Sequence, residues 1–225
     1  MRRIAAAVMA FWFLLDVGGS AMQKKYAALT FDDGPTGKYT ARLLDILSEK
    51  DVHATFFLCG YRVEQYPELT ARIARDGHEI GVHGFSHRCF SELDEQTLTD
   101  ELDRECFLIG ETAGYAPALV RPPCGALPEK NHRSPLSDYA VILWSVDPKD
   151  WATDDRTRIV RRVISGVKSG DIILMHDASD SSVDAVAEII DCLKAEGYTF
   201  VTVSELAAVF GVELEKCSVY HRFGG

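Results

Sequence analysis

Short apolar runs alternate with amphipathic stretches along most of this chain. Residues 26–31, 54–58, 79–82, 118–120, 140–146, 172–175 and 200–203 read as seven strands. Most are continuous apolar runs, the pattern of strands covered on both faces. The stretches between them have helical spacing. Residues 40–50 carry Leu43, Leu44 and Leu47 on one side. Residues 67–75 open with a proline in the first turn and end at Asp76-Gly77. Leu98, Leu102, Cys106 and Ile109 define one face of a longer helix, with Asp94 as a cap near its start. Ile159, Val163 and Val167 align within 156–168, and Val183, Val186, Ile190 and Leu193 mark a helix closed by Gly197. Ser204 is the expected cap of a last helix that Gly211 ends. Residues 125–138 are polar and read as a loop.

Strands alternating with helices argue for a parallel sheet covered by helices, either a barrel or an open doubly wound sheet. The placement of reactive side chains selects between them. Asp32 and Asp33 follow the first strand, His83 the third, Arg121 the fourth, Asp147 the fifth and His176 the sixth. A barrel gathers all these ends on one rim, whereas an open sheet concentrates chemistry at one switch point. The expected fold is therefore α/β, a distorted (β/α) barrel with about seven parallel strands.

The first stretch follows a different pattern. Arg2 and Arg3 precede an unbroken apolar run over 4–15, and Gly18-Gly19-Ser20-Ala21 follows. This is the order of a secretory signal, and the run is short for a membrane anchor. The expectation is a signal over 1–21, with an uncleaved anchor as the alternative and the only contact with a membrane. A single catalytic domain over 22–211 and a polar tail over 212–225 follow. The formal charge of −10 argues against a nucleic-acid partner, which calls for a basic face. Six cysteines (59, 89, 106, 124, 192 and 217) contain no C-x-x-C pair. An even count in an exported chain permits disulfides. A domain of this size does not need them, however, and Cys106 and Cys192 fall on apolar helix faces, so the cysteines read as small buried hydrophobes.

Asp32 and Asp33 end an apolar strand, where two charges cost stability unless something compensates them. His83 and His87, four residues apart, complete with Asp33 the two-histidine, one-carboxylate set of a catalytic divalent metal. Asp32 is then free to take a proton from metal-bound water. Arg121, fixed by Pro122 and Pro123, is placed to hold Asp32 ionised. His176 with a carboxylate such as Asp147 would stay protonated and act as an acid, and Trp151 offers a flat face for a sugar. Each motif alone has an ordinary structural explanation: a solvated turn, loop histidines, a surface arginine, a rim tryptophan.

Taken together the motifs resemble the polysaccharide deacetylases of the NodB-homology type, carbohydrate esterase family 4, over nearly all of 25–210. They read Thr30-Phe31-Asp32-Asp33-Gly34-Pro35, His83-x-x-x-His87, Arg121-x-Pro123-x-Gly125, Asp147-x-x-Asp150-Trp151 and Leu174-Met175-His176. The resemblance implies N-acetyl removal from a polysaccharide in a distorted (β/α) barrel. It implies Asp32 as base, Arg121 orienting it, His176 as acid tuned by Asp147, and Asp33, His83 and His87 on a divalent metal (zinc, or cobalt, manganese or nickel). It also implies the Cys124 backbone N–H as oxyanion donor, and Trp151, Leu174 and Phe85 along the groove. Gly84 replaces the family's usual Ser or Thr, removing a bond that steadies the ligand loop, and Cys124 replaces an aromatic. No proposed catalytic position is lost, so an active, extracytoplasmic enzyme is expected. Peptidoglycan is the favoured substrate, ahead of chitin oligomers and acetylxylan. The competing class is a glycan-binding envelope protein without turnover.

Overall fold

The structure, a computed structural model, describes residues 24–129 and 134–224; the expected export signal lies outside them. The first strand, β1 (Lys25–Asp32), is buried from Ala27 to Asp32. A strand with no polar face must be covered on both sides, and it lies between two neighbours rather than at an edge. β2 (Thr55–Leu58) and β6 (Asp171–His176) flank it, both parallel. β3 (Glu79–Val82), β4 (Leu119–Val120) and β5 (Ala140–Ile142) continue the order beyond β2. β7 (Tyr198–Phe200) pairs with the first residues of β1. Val146, past the end of β5, bridges in parallel to Ile173 and so bends the sheet back toward β6. The result is the expected α/β architecture, parallel strands curled into a half-barrel.

Register places the chemistry. Asp32 lies beside His176 across the β1–β6 pair. Val82 lies beside Val120, so His83 and Arg121, one residue further on, emerge together. The rim expected of a barrel is present.

Helices cover the outside: α1 (Gly37–Glu49), α2 (Gly60–Gln65), α3 (Pro67–Arg75), α4 (Glu95–Ala113), α5 (Arg156–Ile164), α6 (Asp180–Ala195) and α7 (Val203–Val209). Leu43, Leu44 and Leu47 of α1 join Phe31 and Phe56 in one core. Full burial of each such side chain contributes about 1.5–3 kcal/mol. Asp94, Asp155 and Ser179 cap α4, α5 and α6 by accepting backbone N–H bonds.

Four expectations change. Thr202 rather than Ser204 caps α7, in a reciprocal pair with Glu205, because the Ser204 hydroxyl is taken by Glu79. α2 has no counterpart in the pattern, being too short to show periodicity. Cys106 is not on the buried stripe of α4; Glu105 is, together with Leu98, Leu102 and Ile109. The polar tail is part of the sheet, since β8 (Val219–Tyr220) pairs in parallel with β5 and Phe223 is buried. Two apolar residues among polar ones give too weak a pattern to announce a strand. No helix among the described residues is long and apolar enough to cross a membrane.

Candidate active site

Thr30 and Asp32 point to the same side of β1, two residues apart. Between them reaches Arg121, whose side chain is fully buried. Its Nη1 donates to Asp32 Oδ1 at 2.6 Å and to Thr30 Oγ1 at 2.7 Å. Nε and Nη2 donate to the carbonyls of Ile142 and Leu143. The guanidinium also lies 4.1 Å from the centre of the Phe57 ring. Burial lowers the Arg121 pKa, while the charge of Asp32 and its hydrogen bond oppose that shift. A buried cation is tolerated only when paired and fully bonded, and this one is both. One oxygen of Asp32 is thereby committed to Arg121.

Asp33 leaves the strand. Its φ of 74° is the left-handed region, so it is this turn rather than strand alternation that parts the two carboxylates. Asp33 Oδ1 lies 3.3 Å from His83 Nε2 and 3.0 Å from His87 Nε2. Asp32 Oδ2 is further from His83 Nε2, at 3.8 Å. Burial raises the Asp33 pKa, but hydrogen bonds and charge from the two imidazoles outweigh it and hold the carboxyl far below its ordinary range. A Cβ on Gly34 would stand 2.7 Å from the buried Asp177 carboxylate, so the turn after Asp33 has no room for a side chain.

His83 Nδ1 bonds the Arg121 carbonyl at 2.6 Å. A carbonyl can only accept, so Nδ1 carries a proton, and Nε2, facing Asp33, is the nitrogen that would coordinate a metal in place of its own proton. Asp33, His83 and His87 together offer ligand atoms that all lie within 4.8 Å of one another. One anionic oxygen and two imidazole nitrogens suit a divalent transition metal with positions left open.

The loop carrying the histidines is held from α4. The buried Glu105 accepts from His83 N–H at 2.9 Å, an N–H that also donates to the Leu58 carbonyl. One turn earlier, Glu101 accepts from Ser86 N–H at 2.8 Å and from its hydroxyl. Gly84 has φ +86°, and a Cβ there would lie 2.9 Å from the buried Phe90 ring. Glycine therefore fits this loop, and the two glutamates steady it without the hydroxyl the sequence lacks. Replacing Glu105 with Leu is expected to destabilise the fold by about 0.5–1.5 kcal/mol, through loss of the hydrogen bond that ties α4 to the His83 loop, since His83 N–H still donates to the Leu58 carbonyl. It should also weaken metal binding by about 10- to 100-fold. Calorimetric melting and chelator competition measure the two effects; unchanged affinity would mean that the loop holds itself.

His176 ends β6. The sequence suggests Asp147 as its partner, but the structure supplies Asp150. Asp150 Oδ1 bonds His176 Nδ1 at 2.8 Å, and Oδ2 accepts the His176 N–H at 2.8 Å. Lys149 adopts a left-handed φ of 54° ahead of a 3-10 turn over Asp150–Ala152, which swings the later carboxylate under the ring. Asp147 instead accepts Lys149 N–H at 2.8 Å. Burial lowers the His176 pKa, but Asp150 and the charges of Asp32 and Asp33 raise it to about 9.

These groups line one open cleft of about 570 Å³. Leu174 and Trp151 line it, and Trp151 is 66% exposed. Cys124, at φ 60°, lies on its edge. Trp144, which the sequence does not single out, forms another wall beside Gly125. Phe85 is not in the cleft. Its ring packs on Gly60 and lies under the Arg104 guanidinium, 3.7 Å away, because the turn between the histidines directs it toward α2 and α4.

Residues 19–138 match the family model described as polysaccharide deacetylase. A peptidoglycan-N-acetylglucosamine deacetylase of Bacillus cereus is 41% identical over 190 residues, covering 81% of this chain and 88% of that protein. The chain belongs to the polysaccharide deacetylase family. Members of this family are divalent-metal-dependent deacetylases. Among its relatives is the peptidoglycan-N-acetylmuramic acid deacetylase PdaC of Bacillus subtilis, 40% identical over 186 residues. The match covers 83% of this chain and 39% of PdaC, so the chain spans about two fifths of that relative's length. The solved PdaC structure superposes with a TM-score of 0.79 over 83% of this chain and 91% of that one. A family 4 acetyl xylan esterase of Clostridium thermocellum, solved with a cobalt ion, is 32% identical with a TM-score of 0.82, over 88% of this chain and 98% of that one.

Proposed function

We propose that this chain is a metal-dependent hydrolase that removes N-acetyl groups from peptidoglycan, acting outside the cytoplasmic membrane with zinc at Asp33, His83 and His87. The observation that carries the reading is the division of labour around one cleft: three ligands converge on one point, while Asp32 and His176 are each held by a separate partner. The choice of peptidoglycan rests on the two relatives at 40–41% identity.

When bound, the ion would polarise the acetamide carbonyl and bring water toward neutral acidity. The remaining work falls to the protein. Arg121 occupies Oδ1 of Asp32, so Oδ2 is the oxygen that takes the proton of the attacking water. Asp150 fixes His176 Nδ1, leaving Nε2 to donate to the departing amine. The Cys124 backbone N–H serves the oxyanion. Trp144, Trp151 and Leu174 supply the apolar walls on which a sugar ring and an acetyl methyl rest.

Because the His176 pKa is raised to about 9, the imidazolium persists at neutral pH. Activity should fall as pH rises through that value. The same shift stabilises the fold fully below the ordinary imidazole range and is lost as pH rises through about 9. Asp150→Asn removes the charge that raises it. The alkaline limb of kcat should move to lower pH and kcat should fall by about 100-fold. A pH–rate profile unchanged by the substitution would assign the acid to another group.

Substrate class is tested by acetate release from peptidoglycan, chitopentaose and acetylxylan, side by side, with metal supplied. Peptidoglycan is expected to be turned over fastest. Faster release from acetylxylan would make the enzyme an O-esterase, and no release from any of them with metal bound would favour a glycan-binding protein.

A further inference from the structure

Two of the six cysteines do not behave as buried hydrophobes. Cys89 is half-buried and Cys124 exposed, and their sulfur atoms lie 2.7 Å apart across 35 positions of sequence. That is closer than two thiols rest when they merely pack, and a small side-chain adjustment reaches the S–S bond length of about 2.05 Å. The loops that carry them already meet. A Cβ on Gly84 would contact both Phe90, next to Cys89, and Pro123, next to Cys124. Both loops belong to the catalytic rim: Cys89 lies two residues beyond His87, and Cys124 three beyond Arg121, whose carbonyl holds His83.

We propose that Cys89 and Cys124 form a disulfide that staples the histidine-bearing loop to the turn at the edge of the cleft. The oxidant is an external disulfide, either a small molecule or a dithiol oxidoreductase. The thiolate of one cysteine attacks one sulfur of that disulfide and expels the first thiol. The second cysteine's sulfur then displaces the other, closing the Cys89–Cys124 bond. Two electrons and two protons leave the pair, and the external disulfide is reduced to two thiols. Cys59, Cys106, Cys192 and Cys217 have no cysteine partner at comparable range.

The test is peptide mapping of the full chain under non-reducing conditions after exposure to oxidised glutathione. A Cys89–Cys124 linked peptide is expected, lost on reduction, with the other four cysteines alkylated directly. Reduction should lower Tm by on the order of 5 °C in the wild type and leave Cys89→Ser unmoved, while Cys217→Ser keeps both the linked peptide and the shift. Direct alkylation of Cys89 and Cys124 in the oxidised wild type would overturn the proposal, as would a linkage joining either to another cysteine. The wild-type map decides the matter even if Cys89→Ser fails to fold.

Discussion

Asp32→Asn is expected to lower deacetylation by about 100- to 10,000-fold while leaving metal bound. The substitution keeps the shape of the side chain and an oxygen for Arg121, and it removes the carboxylate beside the ligands that is not itself placed as one. Retention of the ion follows from the distances. Asp33 approaches both imidazoles more closely, at 3.3 and 3.0 Å, than Asp32 approaches His83 at 3.8 Å. A cost to the fold is also expected, because Arg121 loses its carboxylate partner. Thr30 and the carbonyls of Ile142 and Leu143 still accept from it, so the loss is about 1–3 kcal/mol rather than the larger penalty of stranding a buried charge. Turnover, metal content and melting measured on one preparation separate these effects. Loss of the ion together with activity would make Asp32 a ligand and leave the base unassigned.

The rim was legible from the sequence because a strand end is a local pattern. An apolar run that stops at Asp32, His83, Arg121 or His176 announces both the strand and the reactive group, and parallel register then assembles them without further information. What escaped depends on turns and on single buried polar groups. Asp147 and Asp150 look alike as letters, and the left-handed backbone at Lys149 decides which one reaches His176. Glu105 occupies a place on the buried stripe of α4 where periodicity expects an apolar residue, so its grip on the His83 loop is visible only in three dimensions. Phe85 sits between two ligands in sequence yet faces away from the cleft. Cys89 and Cys124 are far apart along the chain, and only the meeting of their loops makes them a pair.

Metal removal is the other large effect. Asp33, His83 and His87 come from two separate strand ends, and their ligand atoms lie within 4.8 Å of one another, ready for one ion. Without the ion, Asp32 would have to deprotonate ordinary water, whose pKa lies about 8 to 9 units above that of metal-bound water. His176 could not compensate, since it acts only after the carbonyl has been attacked. Activity should therefore vanish to background in chelator-stripped protein, although the fold, held by its own core, should persist.

The most direct measurement is a titration of stripped, folded protein with zinc, following bound metal and acetate release from peptidoglycan together. The account predicts release that climbs in proportion to occupancy and saturates at a single ion per chain, with Asp33→Asn failing to take up that ion. Full activity in the stripped protein, or a site filled by the ion with no acetate released, would contradict it.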